Sequence, residues 1–321
     1  QPTFTTSFDG IWIENNKIYG VDRCGILVWT SAGPGSRSDF LPGLIPAQNV
    51  TVRGNELSDV GGDAILIMGT NAPLVEKNVV RRACKKSGHP DLQGSGYASN
   101  NSAAIWFHHC IDGIIQYNQV YDCKKQQHNN DGMSFDFDYN CERCIAQYNY
   151  SHGNEGGLIL IMNTATDNIV RYNISENDQS HVLFLTGNKS ENNVVYNNTF
   201  YIDHGSAYVL PGATLKNNIF MAAGTGVMNF QEVSRGTFSH NCYAGNWSGY
   251  LPNETGKITH DPLFSDPGNG DEHGENLAAY ALASGSPCRN AGVIIFNNGG
   301  LDILGNEVTR TNLPNMGAVQ N

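Results

Sequence analysis

Asp136 and Asp138 lie two residues apart in the stretch MSFDFD, residues 133–138, each beside a phenylalanine. On a β-strand, residues of one parity share a face, so both carboxylates leave one side and Phe135 and Phe137 the other. Their Cβ atoms then stand about 6.6 Å apart and their carboxyl groups roughly 5 to 9 Å apart, a range that covers both retaining and inverting glycosidases. Apolar neighbours raise at least one of the two pKa values, as a general acid requires. The structural alternative is that the pair binds backbone amides of nearby loops, since carboxylates among aromatic rings are otherwise costly.

Five other segments share the same alternation: residues 24–29 (CGILVW), 63–68 (DAILIM), 103–108 (AAIWFH), 157–162 (GLILIM) and 180–185 (SHVLFL). Aligned, they give two outward columns. One contains Leu27, Leu66, Trp106, Asp136 and Leu160, and the other Trp29, Met68, His108, Asp138 and Met162. Trp29 and Trp106 make this face suitable for stacking an extended sugar chain. Equally, Leu27, Met68, Trp106 and Met162 could pack beneath loops as a satellite core. His108 shares a column with Asp138 and can orient it or take a proton. His109 and His152 map near the face as candidate substrate contacts, as do His128 and His181, although a histidine more often serves as a hydrogen-bonded structural residue.

A further set of acids stands where the chain enters this strand: Asp131 in Asn-Asp-Gly, Glu155 in Asn-Glu-Gly-Gly and Asp178 in Asn-Asp-Gln. Stacked about 4.8 Å apart, they would need a shared proton or a cation, which makes calcium a possible ligand of Asp131, Glu155 and Asp178. As turn residues they could instead cap backbone groups. Glu155 is the least turn-like, so it joins Asp136, Asp138 and His108 as a catalytic candidate. Asp131 joins Trp29, Trp106, His109 and His152 as a substrate contact.

The elements that must position these residues are announced by a recurring phrase, apolar-x-x-Asn-x-apolar. It occurs at residues 13–19 (IENNKIY), 52–58 (VRGNELS), 75–81 (VEKNVVR), 115–121 (IQYNQVY), 170–176 (VRYNISE), 194–200 (VVYNNTF) and 215–220 (LKNNIF), with a weaker copy at 146–152. Taking Asn16, Asn55, Asn78, Asn118, Asn149, Asn173, Asn197, Asn217 and Asn241 as markers, the basic spacing is 20 to 24 residues. That length holds about three short strands and their turns, one rung of a β-solenoid, and is too short for a propeller blade. The Leu spacing of a leucine-rich repeat is absent. An Asn at a fixed place in each rung can satisfy turn backbone groups from rung to rung.

On these phrases the chain resembles the pectin-lyase-like, right-handed parallel β-helix proteins, over roughly residues 8–242. The resemblance implies an all-β, single-domain solenoid and internal Asn ladders. Residues 243–321 resemble the loop-rich closing segment of secreted β-helix carbohydrate-active proteins, expected to cover the last open rung. Early intervals of 39, 40 and 31 mark insertions at 31–48, 85–101 and 124–130, each adjoining the strand that bears the outward columns. They are expected to wall a cleft.

A net charge of −11 disfavours nucleic acid and anionic membranes as partners, and no run of 18 apolar residues spans a bilayer. The first ten residues lack an apolar signal-peptide core, which suits a mature or trimmed form. Eight cysteines and eight N-x-S/T sequons (Asn49, Asn100, Asn149, Asn173, Asn188, Asn197, Asn246, Asn253) suggest a secreted, disulfide-bonded eukaryotic glycoprotein. Connectivity stays open, with Cys141–Cys144 and Cys110–Cys123 the shortest loops. Zinc at the single C-x-x-C lacks a second such motif.

The expected activity is therefore glycoside hydrolysis of a polysaccharide or oligosaccharide by a secreted monomer, requiring no cofactor, with calcium possible. Two alternatives stand beside it. A polysaccharide lyase would need a cation to neutralise a uronate, yet Arg23, Lys124, Lys125 and Arg143 all fall in turns. A solenoid can also bind glycans without catalysis.

Overall fold

The computed structural model of this protein describes residues 7–30, 46–85, 101–125, 131–187, 190–270, 274 and 276–320. The chain winds through three parallel sheets, visiting each once per turn. The first sheet runs from Asp9–Glu14 through Ala47–Arg53 to Thr237–Ser239, and the second from Lys17–Tyr19 through Glu56–Ser58 to Cys242–Gly245. The third sheet carries the outward columns. Its order is Ile26–Trp29, Ile65–Met68, Ile105–His108, Phe135–Phe137, Ile159–Ile161, Ser180–Leu185, Ser206–Leu210, Val227–Phe230 and Trp247–Ser248. The parallel β-helix expected from the repeat is thus the architecture observed.

Each strand is short because its two neighbours supply the pairing that length would otherwise provide. The inward residues of all three sheets form one continuous core, including Val52, Val75, Ile115, Ile65, Ile105, Phe135 and Ile159. Inward rings stack along the axis, as in Phe200–Phe220–Tyr243, with successive centroids 4.7 and 5.7 Å apart.

Between the first and second sheets the chain turns on a buried Asn ladder. Asn118 donates its backbone N–H to Asn149 Oδ1 at 2.9 Å and its Nδ2 to the same oxygen at 3.1 Å; Asn149 repeats both bonds on Asn173. The residue before each ladder Asn adopts positive φ, from Asn15 (57°) through Lys77 (56°) and Tyr148 (57°) to His240 (55°). This corrects the marker assignment at the two Asn pairs. Asn197 and Asn217 are the positive-φ residues (51° and 55°), and Asn198 and Asn218 carry the ladder, with Asn173 donating to Asn198 and Asn198 to Asn218 at 3.0 Å. Asn tolerates the left-handed region better than most residues, which explains the pairs.

The sequon reading changes accordingly. Asn149, Asn173 and Asn197 are buried at this corner, where a glycan cannot be accommodated; Asn49, Asn246 and Asn253 are exposed. All eight cysteines are free thiols, contrary to the expected disulfides. Cys110 follows a third-sheet strand and Cys123 a second-sheet strand, so they occupy different corners. Cys110, Cys141 and Cys144 fill the core as small apolar residues.

The closing segment also departs from expectation. The last rung is continued by isolated bridges from Ser239 to Thr255 and from Cys242 to Ile258, with Trp247 and Leu251 packed on the core end. Most of the remainder does not cover that end. It runs back along the corner between the first two sheets, where Tyr280, Ile303, Val308 and Val319 pack on Tyr148, Tyr172, Tyr196 and Tyr201. Glu176 anchors this strap, its Oε2 accepting from Tyr150 and Tyr280 hydroxyls at 2.8 Å and from the Gly270 N–H at 3.2 Å.

Candidate active site

The third sheet sets the parity of the outward columns. Leu27 pairs with Leu66, Leu66 with Trp106, Trp106 with Asp136, and Asp136 with Leu160; Trp29 pairs with Met68 and Met68 with His108. Asp138 continues the register by donating its backbone N–H to Phe107 O at 2.9 Å. Phe135 and Phe137 point into the core. Trp29 is 54% exposed at the first rung, whereas Trp106 is half-buried.

Asp136 is only 6% exposed, and its Oδ1 has no hydrogen-bond partner. Burial pushes its carboxyl well above the usual carboxylate range, reinforced by the nearby charges of Asp138, Asp131 and Asp63. Asp131 and Asp138 bracket the strand and are each half-buried. Asp138 Oδ1 accepts the Tyr139 N–H at 2.7 Å.

Asp63 was absent from the candidates drawn from sequence. Its side chain is buried, Oδ2 pairs with Arg23 Nη1 at 2.8 Å, and Arg23 also donates to Ser102 Oγ at 2.9 Å. Burial pushes Asp63 up to about 6, and Arg23 is the main influence holding it from rising further. The Trp106 indole, the Ala103 backbone and the Ser102 side chain also act to lower it. The signal in the sequence is Gly61-Gly62 before Asp63: a Cβ at Gly62 would collide with Arg23.

His108 is buried beside the cluster, its ring edge-on to Trp106 with centroids 6.3 Å apart and its Nδ1 2.7 Å from His109 Nδ1. His109 continues this chain to Asn140, Nε2 to Nδ2 at 2.7 Å. The two histidines therefore brace the end of the strand.

Three assignments are corrected. His152 belongs to the second sheet, in strand Tyr150–His152, and its ring stacks between Tyr121 and Tyr150, at 4.8 and 5.2 Å. It faces away from this site because the residue lies one corner earlier in the rung. Glu155 is not stacked on Asp178; that place belongs to Asn154, whose N–H and Nδ2 both donate to Asp178 Oδ1 at 2.9 Å. Glu155 instead pairs with Lys124 Nζ at 2.6 Å and accepts the Lys125 N–H at 3.1 Å, with its side chain 46% exposed. Asp178 is sealed, its other oxygen accepting from Ser151 and Ser175 hydroxyls. The proposed cation column of Asp131, Glu155 and Asp178 therefore does not form, and among the described residues no group of three or more acidic, His or Cys side chains could hold a metal ion.

The insertions attach at both ends of the third-sheet strands. Residues 31–45 follow Ile26–Trp29, while 86–100 and 126–130 precede Ile105–His108 and Phe135–Phe137. These residues, His128 among them, lie outside the described set, as does the expectation that they wall a cleft.

Comparison with known proteins adds to this geometry. Residues 4–210 match the family described as the right-handed β-helix region. A lacto-N-biosidase of Bifidobacterium longum subsp. longum is 32% identical over 355 aligned positions, covering 98% of this chain and 22% of that protein. The chain thus spans about a fifth of the length of that relative. Among solved structures, a GH136 lacto-N-biosidase from Eubacterium ramulus aligns with 28% identity over 51% of this chain and 25% of its own, at a TM-score of 0.41. The complex of XylC with xylose aligns with 11% identity over 88% of this chain and 66% of its own, at 0.39.

Proposed function

Because this chain belongs to the right-handed β-helix family, we propose that its outward third-sheet face is the active site of a glycoside hydrolase acting on an oligosaccharide or polysaccharide. The observation that carries the reading is the convergence of Asp131, Asp136 and Asp138 with Asp63 beside Trp106. The sequence likeness to a lacto-N-biosidase supports it and suggests that the unit released includes lacto-N-biose.

Asp138 supplies the nucleophile or the base, since it is half-buried and close enough to Asp136 to raise it. Asp136, kept protonated by burial and by its acidic neighbours, donates to the glycosidic oxygen. A second reading gives the acid role to Asp131, because Asp131 is half-buried whereas Asp136 Oδ1 is sealed. Trp106 and the exposed Trp29 offer ring faces to the sugar. His108 orients the strand end that carries Asp138. The reaction needs no cofactor, and the enzyme acts as a secreted protein.

Polysaccharide elimination receives less support. Among the described residues Arg23 is paired with Asp63, and the carboxylates around Asp136 disfavour a uronate. Incubation with 4-nitrophenyl lacto-N-bioside and a panel of glycans, following reducing sugar and absorbance at about 235 nm together, tests the proposal. Reducing sugar alone supports hydrolysis; unsaturated product supports elimination; neither leaves glycan binding.

A further inference from the structure

The outer face of the second sheet carries a column that runs Tyr19, Ser58, Arg81, Tyr121, each in register with the next on adjacent rungs. Serine stands between two long side chains, so the column dips there. The result is a groove of about 220 Å³, lined by Tyr19, Glu56, Ser58, Val79, Arg81 and Tyr121. It lies on a different sheet from the acidic cluster and on earlier rungs than the strap, whose Gly274 packs against Gln119 and Tyr150.

The polar groups of this groove are unsatisfied. Ser58 and Tyr121 are only 3% and 4% exposed, yet among the described residues neither hydroxyl has a hydrogen-bond partner. Nearly buried polar side chains left unpaired in a native fold call for an explanation. Arg81 is half-buried and, among the described residues, has no carboxylate partner. Other cations on these rungs do: Arg53 pairs with Glu76 at 2.6 Å, Arg82 with Asp59 at 2.6 Å and Lys17 with Glu56 at 3.1 Å. Glu56 is therefore already neutralised, and Arg81 leaves the groove with one positive charge.

This set has a definite complement. A guanidinium fork donates two parallel N–H bonds to a carboxylate, and flanking hydroxyls exchange hydrogen bonds with the same anion or with ring hydroxyls. One positive charge matches a monoanion, whereas a phosphate dianion beside Glu56 would stay half-neutralised. The Tyr19 ring, 55% exposed, and Val79 supply the apolar surface on which a pyranose face rests.

We propose that this groove binds the carboxylate-bearing ring of an acidic sugar, with Arg81 on the carboxylate, Ser58 and Tyr121 on neighbouring oxygens and Tyr19 against the ring. The second sheet thereby takes the kind of sugar that the third-sheet carboxylates repel. The site stands independently of the hydrolase reading.

Galacturonate and galactose differ only in bearing a carboxylate or a hydroxymethyl group on C5, so the pair isolates the charge. The protein is titrated calorimetrically with both, and with glucuronate, acetate and inorganic phosphate. A uronate is expected to bind at least 10-fold more tightly than galactose, acetate or phosphate. Arg81→Gln should lose about 10-fold or more in uronate affinity and Tyr19→Ala about 3-fold or more, with urea unfolding unchanged. Asp138→Asn, on the third sheet, should keep uronate affinity within two-fold. Tyr19→Ala, at an exposed ring, decides the matter if Arg81→Gln does not fold.

Uronate binding that is absent, or no tighter than galactose binding, overturns the site. So does an affinity within two-fold of wild type in a folded Arg81→Gln, or in Tyr19→Ala where that variant decides. Acetate or phosphate bound as tightly as a uronate overturns the assignment to an acidic sugar. Loss of uronate affinity in Asp138→Asn would put the bound ring on the third sheet and overturn the location.

Discussion

Asn241 donates its backbone N–H to Glu254 Oε1 at 2.7 Å, ending on a carboxylate the ladder that every earlier rung continues with another asparagine. Glu254 Oε2 also accepts from Asn241 Nδ2 at 3.0 Å and from the Tyr243 hydroxyl at 2.9 Å. One side chain from outside the regular rungs thereby satisfies the donors that an open solenoid end would leave unpaired.

Replacing Glu254 with Ala exposes or orphans these donors and should destabilise the chain by roughly 2–3 kcal/mol. Equilibrium urea denaturation checks this. Loss of less than about 0.5 kcal/mol would assign the end-capping role to Trp247 and Leu251 packing alone.

Asn149→Ala, in the middle of the ladder, removes the acceptor used by both Asn118 donors and the donor to Ile115 O. A cost of about 3 kcal/mol is expected, against near-neutrality for a change at the exposed Asn253. Urea midpoints of the two variants measure the contrast, and equal midpoints would remove the ladder from the account of stability.

Asp131→Asn, Asp136→Asn and Asp138→Asn keep shape while removing a titrating group. Asp138→Asn should lower kcat roughly 100-fold or more with unfolding little changed. Whichever of the other two falls as far identifies the acid. Near-normal turnover in all three, on a glycan the wild type cleaves, would move the active site elsewhere on the solenoid.

Asp63, Asp136, Asp178 and Glu254 are all raised by burial as the leading cause. A carboxyl whose folded pKa exceeds its unfolded value binds the proton more tightly when folded, so its contribution is complete below the unfolded pKa. That contribution is lost as pH rises through the folded pKa, about 6 for Asp63. Asp59, held low by Arg82 and Lys85, works in the opposite direction but is solvent-screened. The part of the stability that comes from Asp63 should therefore decline between about pH 4 and 6 by an amount on the order of 1–3 kcal/mol. Urea midpoints at successive pH values should show a shallower decline in Asp63→Asn; an identical slope would mean that Asp63 does not titrate in that window.

Tyr280→Phe removes one donor to Glu176 Oε2 and should loosen the strap by about 1 kcal/mol. Limited proteolysis is the sensitive measurement, with faster cleavage expected between residues 259 and 320. An unchanged rate would indicate that apolar packing on Tyr172, Tyr196 and Tyr201 holds the strap unaided.

The repeat length, the buried asparagines and the in–out parity of Asp136 and Trp106 were legible in the amino-acid sequence. A solenoid rung touches chiefly its neighbours, so each rung must present the same kind of residue at the same place, and that demand is written as a period. Which residue of Asn197-Asn198 or Asn217-Asn218 enters the ladder was decided by the turn, because only one can take positive φ while the other points inward. The convergence of Asp63 on Asp136 and the departure of Glu155 to Lys124 depended on three-dimensional placement. So did the strap that carries Tyr280 back to Glu176 and the placement of His152 on another sheet. Each of these turns on how a corner aims a side chain and which distant charge or ring it meets, and such pairings need not recur from rung to rung.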